Sequence, residues 1–228
     1  MNQNQIDIFQ GTAVYDALIT VDRIYKDITV AQKPWRDVGA SVCPTGCGTC
    51  CLDFEPDILE AEALYTAAWL YFNRREVFDV LLNYDVISPM RSDFALHPKG
   101  CVFYDPQKEA HCQIYDGRML ICRLFGYCGD HDKNAERRWR PCRFMPDSCM
   151  NGLEHRQYCA KELSEKYGVL PPDMSSFTTE TLGIFPDNNQ TTLLREALPH
   201  AAKKIFMILS FIQPPEPINP NPTLPTVA

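Results

Sequence analysis

Four cysteines fall within nine residues of this chain, in the run Cys43-Pro-Thr-Gly-Cys47-Gly-Thr-Cys50-Cys51, and seven more follow before residue 160. Such a run has little side-chain surface with which to bury itself. Its glycines at 46 and 48 leave the backbone free to wrap closely, and thiols two or three residues apart suit tetrahedral thiolate sites. Disulfides are the rival explanation. Eleven cysteines are about 5% of the chain, below the roughly 8–10% of small disulfide scaffolds, and an odd number cannot all pair. The first residues carry neither the basic start nor the apolar stretch of a signal peptide, so a cytoplasmic location, where thiols stay reduced, is expected.

Charge and hydropathy narrow the partners. The net charge is −7, with 29 acidic against 22 basic residues, the wrong balance for neutralising nucleic-acid phosphates. The basic run Arg137-Arg138-Trp139-Arg140 reads as a solvated face. The longest apolar run lies near residues 205–212, well short of the roughly 18–20 residues that span a bilayer. No nucleic-acid or membrane partner is expected.

The pattern predicts a mainly α fold around an irregular, cysteine-rich centre organised by metal. Residues 12–30 have helical apolar spacing, with Pro34 as the expected stop. Pro56 suits the first turn of a helix running to about Leu70, with Asp53, Glu55 and Asp57 read as helix-start carboxylates. A second helix is expected over 74–82, a third over 152–167 ending at Gly168, and a last over 190–212, kinked or split at Pro199. Residues 88–150 read as irregular, with a possible short β-hairpin from Cys101–Tyr104 and Cys112–Tyr115. Residues 1–213 form one expected domain with its motif core at 43–128. Residues 214–228, with six prolines in fifteen residues, read as a flexible tail.

Cys43, Cys47, Cys50 and Cys51 form the first candidate ligand set, and Cys101, Cys112, Cys122 and Cys128 the second. Adjacent cysteines diverge, so Cys50 and Cys51 are expected to serve different ions, or one to lie beside the site. Cys142, Cys149 and Cys159 either make a third site, with His131 or His155, or are ordinary small buried side chains. His111, beside Cys112, reads as a surface histidine. The eight-cysteine count and the vicinal pair favour iron–sulfur clusters of the 4Fe-4S type over zinc or mononuclear iron. Arg118 and Arg123 are candidate neighbours that offset the negative charge of an all-thiolate site. The spacing Cys43-x3-Cys47-x2-Cys50 also matches radical S-adenosylmethionine enzymes, but the βα alternation of their barrels is missing.

The sequence resembles the YkgJ-type cysteine-cluster family, also described as the CxxCxxCC or zinc- or iron-chelating domain. The resemblance rests on Cys47-Gly-Thr-Cys50-Cys51, then Cys101-Val-Phe, then Cys112-Gln-Ile-Tyr-Asp-Gly-Arg118-Met119-Leu-Ile-Cys122-Arg123. It covers roughly residues 43–128. The gap from Cys43 to Cys47 is three residues where the family has two, and Met119 stands where the family has proline. Larger relatives include flagellin lysine N-methylases, but no methyl-donor domain is visible here. The resemblance implies metal ions as partners. Three readings follow: an iron–sulfur protein with a redox or modification-accessory role and a protein redox partner, a non-catalytic zinc or iron chelator, or an enzyme with an open cluster acting on a protein substrate.

Overall fold

A computed structural model describes residues 1–39, 47–84, 100–108, 111–150 and 152–212. Cys43 and the expected tail lie outside the described residues. Among them the fold is mainly α, as the apolar periodicity predicts.

A short helix α1 (Gln3–Asp7) is capped by Asn2, whose side chain accepts the Gln5 N–H at 2.9 Å. The long helix α2 (Tyr15–Asp37) buries Leu18, Val21, Ile24, Tyr25 and Ile28 on one face and carries Trp35 at its far end. Pro34 does not stop it. The proline has lost only its own N–H, and its carbonyl still accepts from Val38 at 3.3 Å. A five-residue helix α3 (Thr49–Asp53) holds Cys50 and Cys51. Pro56 is not in a helix: it precedes a short strand β1 (Asp57–Ile58), and helix α4 (Glu60–Asn73) begins later than expected. Helix α5 (Arg75–Leu82) follows as predicted.

Within 88–150 the described residues are more ordered than the sequence suggests. The expected hairpin reduces to a single bridge between Tyr104 and Cys112. A turn at Tyr115–Gly117 then leads into α6 (Leu120–Leu124), which carries Cys122. Strands β2 (Asp130–His131), β3 (Arg137–Trp139) and β4 (Tyr158–Cys159) form an antiparallel sheet in the order β2-β3-β4, pairing His131 with Arg137 and Trp139 with Tyr158. Helix α7 spans Ala160–Tyr167, so only the last part of the expected 152–167 helix forms, and it ends as predicted at Gly168, whose φ is 71°. Helix α8 (Met174–Leu182) is capped by Asp173. Strand β5 (Thr192–Leu193) pairs with β1, and α9 (Leu194–Ile212) runs unsplit through the buried Pro199. No described helix is long and apolar enough to cross a membrane.

Two apolar cores result. In the larger, α4 is buried almost all round by α2, α5 and α9. The smaller gathers Trp35, Trp139, Met145, Met150, Leu153, Tyr158 and Leu163, with Trp35 edge-on to Trp139 at 5.2 Å. Helix α2 contributes to both.

The cysteine-bearing segment is fastened to α4. The buried Glu62 carboxylate accepts the Leu59 N–H at 3.0 Å, at the start of α4, and the Leu120 N–H at 2.8 Å, at the start of α6. Thr66 donates to the Gly117 carbonyl at 3.1 Å, and Gly117 leaves room for the Trp69 ring, which an added Cβ would meet at 2.4 Å. Glu62→Gln turns one acceptor into a donor facing a buried N–H. Urea unfolding should show a loss of about 1–3 kcal/mol, the cost of an unpaired buried polar group. An unchanged midpoint would remove Glu62 from this role.

Candidate metal centre

The thiols are brought together by two short helices and the loop that crosses them. Cys50 and Cys51 sit on α3, and their sulfurs are 3.9 Å apart. The Cys101 N–H donates to the Cys51 carbonyl at 2.9 Å, and the Cys51 thiol lies within hydrogen-bonding reach of Cys101. Gly100 permits this approach, since a Cβ there would stand 2.4 Å from the Leu52 carbonyl oxygen and 2.6 Å from that of Cys51. The loop is anchored from the far side by Arg195, which donates to the Gly100 carbonyl at 3.1 Å and pairs with Glu55. Glu55 is therefore a clamp on α9 rather than a helix-start carboxylate.

Cys112, at the bridge to Tyr104, and Cys122, on α6, act electrostatically on the same group. Burial raises the pKa of both thiols, and Cys122 is pushed up further by Cys51 and Cys112. The bond to Cys51, then burial, puts Cys50 far above the ordinary thiol range. Cys51 is pushed up to about 12, with its bond to Cys101 the largest cause. Burial also raises Cys142, on which Cys50 and Cys47 act as well. The members of this group are thus coupled: ionising one penalises the next, because like charges share a poorly solvated space. A cation in their midst reverses that penalty, and thiolate is the form a metal takes.

The other expected ligands lie elsewhere. Burial lifts the Cys128 thiol to about 11, and it receives the Gln32 side-chain N–H at 3.6 Å, with Asp173 and Arg36 as its charged neighbours. Cys149 packs with Cys142 against the smaller core. Cys159 is exposed at the start of α7, where its N–H donates to Glu162 at 2.9 Å. His131 faces Asp173 at 3.5 Å and His155 faces Asp147 at 3.7 Å. Among the described residues no three His, Cys, Asp or Glu side chains are already arranged as a finished metal site.

Arg118 bears on both Cys112 and Cys122, and its guanidinium covers the Tyr115 ring at 3.9 Å. Its Nε is buried and has no hydrogen-bond partner among the described residues. An orphaned cationic N–H beside crowded thiols fits an anionic thiolate centre, which would supply the missing acceptor. Arg123 is used differently. It donates to the Arg118 carbonyl at 2.8 Å and to that of Asp116, and covers the Tyr25 ring, pinning the loop while still acting on Cys122.

His111 differs from the sequence expectation: it is partly buried, and its backbone sits at φ 48°. A Cβ added at Gly48 would lie 2.4 Å from the His111 Cβ and 3.1 Å from its Cγ, so this side chain rests on the glycine between Cys47 and Cys50.

Residues 42–160, just over half of the chain, match the family model described as "CxxCxxCC: Putative zinc- or iron-chelating domain". The chain belongs to this family. It is a metal-binding family by that description, and the match takes in every cysteine of the group described above. No curated protein and no solved structure matches the chain.

Two outcomes follow from the geometry. Gly100→Ala should cost about 1–3 kcal/mol through forced backbone movement, and should weaken metal retention in parallel. Wild-type affinity with lost stability would separate the loop from the centre. Because the thiols are held protonated, loading must displace protons, so apparent zinc or iron affinity should rise with pH from 6.5 to 8, with proton release measurable in weak buffer. A flat profile would show that the bound groups are not these thiols.

Proposed function

We propose that this protein holds a thiolate-ligated iron–sulfur centre and serves a redox or modification-accessory role. The observation that carries this is the Cys50–Cys51 sulfur pair at 3.9 Å, with the Cys101 thiol bonded to Cys51, and with Cys112, Cys122 and an Arg118 Nε that has no partner among the described residues acting on the same group. Cys47 and Cys142 extend the same group through Cys50, so it offers more thiols than one tetrahedral ion takes. Cys43 is an expected ligand beside Cys47. A cluster bound here would supply electron transfer, its potential set by net charge and by hydrogen bonds to sulfur. Of the protein groups, Arg118 offsets negative charge and Arg123 holds the loop. Leu52, Phe54 and Phe125, close in sequence to the thiols, are exposed, and Phe54 stacks on Phe125 at 6.4 Å. That leaves apolar surface beside the centre for a protein redox partner or protein substrate.

A second reading, a closed zinc or mononuclear iron site without redox chemistry, is favoured by the family description itself.

Metal and acid-labile sulfide analysis of protein purified without oxygen decides between them. Near-equal iron and sulfide, with a visible band that bleaches on reduction, is expected. Zinc alone with no colour would establish the second reading. Cys122→Ser, at a half-buried thiol held on α6, should lose most of the metal, whereas Cys159→Ser should keep it. Equal loss from both would overturn the ligand set.

A further inference from the structure

We infer that His111 supplies a nitrogen ligand to the thiolate centre. This rests on the reading above that a metal is held there. A histidine in the left-handed region costs on the order of 1–3 kcal/mol and persists only where its surroundings enforce it. Here they do. The His111 N–H donates to the Lys108 carbonyl at 2.9 Å, its carbonyl accepts from Asp105 at 3.1 Å, and the next residue bridges to Tyr104. The turn delivers the side chain to one place, the bare Cα of Gly48. There it stands between two cysteine-bearing segments: Cys47 and Cys50 flank Gly48, and Cys112 follows His111 directly. The Tyr104 ring closes the other side at 5.9 Å. An added methyl group at residue 48 would displace the histidine, so the glycine and the strained backbone serve the same placement.

The electrostatics call for such a donor. The Cys50 and Cys51 sulfurs already stand 3.9 Å apart, so as thiolates they repel each other. A further thiolate would add to that repulsion, whereas a neutral imidazole adds a coordinating lone pair without charge.

The test begins with the wild-type metal-loaded protein. X-ray absorption at the K-edge of the bound zinc or mononuclear iron should show a nitrogen scatterer at about 2.0 Å with imidazole outer-shell features. For a reduced iron–sulfur cluster, the electron spin echo should carry nitrogen-14 modulation from a histidine. In His111→Asn, which keeps a residue tolerant of the left-handed region, these features should vanish and metal affinity should fall on the order of tenfold or more. The circular dichroism and thermal midpoint of the metal-free variant should match wild type. A wild-type centre with sulfur ligation only, or features that survive in His111→Asn, overturns the inference while leaving the metal site standing. A wild-type protein that retains no metal defeats both. Because the wild-type spectrum alone decides, a variant that misfolds does not weaken the test.

Discussion

The buried carboxylate of Glu62 is the joint on which the arrangement depends. Removing a carboxylate from water is costly, and burial does raise its pKa. Two backbone N–H groups, one at the start of α4 and one at the start of α6, compensate it. Both are donors that a helix leaves unpaired at its first turn, so one side chain satisfies two helix ends. The consequence is positional. Helix α4 is locked among α2, α5 and α9, and α6 is locked to α4. Cys122 therefore inherits the rigidity of the main core although it sits in a five-residue helix that could not persist alone.

The opposite half of the thiol group has weaker support. Helix α3 is equally short, and Cys51 and Cys101 are joined through one backbone bond that Gly100 makes room for. Glu55, Arg195 and the Gly100 carbonyl hold that loop against α9. The centre is thus a meeting of a firmly mounted half, carrying Cys112 and Cys122, with a half tied down by a few polar contacts. Coordination bonds would contribute most to the second half, where the chain contributes least.

The long helices were legible because burial on one face imposes a 3.6-residue period, which α2, α5 and α9 carry plainly. Their ends were less so. Pro34 and Pro199 lose one N–H each, a loss the surrounding packing absorbs, and Pro56 lies in the segment whose carbonyl accepts from Leu194 at 3.0 Å. The helix α6 and the sheet β2-β3-β4 are too short to leave a period, and helix α8 buries only Thr181 and so shows no apolar stripe. Spacing points to metal-binding thiols, in line with the family description, but does not say which thiols the fold gathers. Cys142, read with Cys149 and Cys159, is acted on by Cys50, and the thiol of Cys128, read with Cys122, receives the Gln32 side-chain N–H. Proximity in sequence says little about which thiols a fold of this irregularity will gather. His111 was misread for the same reason, because nothing local to it reveals that Gly48 lies underneath.

The distribution of cysteines also bears on how the two cores are joined. They share α2, whose early turns line the larger core and whose Trp35 enters the smaller. They are also joined through α8, which packs on α2 and is tied to the start of β2: the Met174 N–H donates to the Gly129 carbonyl at 2.9 Å, and the Gly129 N–H to the Pro172 carbonyl at 2.9 Å. Cys142 packs against the smaller core while its thiol is coupled to Cys47 and Cys50. On the proposed ligation, an ion shared by Cys142 and Cys50 would give the smaller core a further attachment to the larger. The metal would then do more than replace missing secondary structure in the centre: it would reinforce the seat of the sheet-bearing part of the chain against the helices, which α2 and α8 already hold.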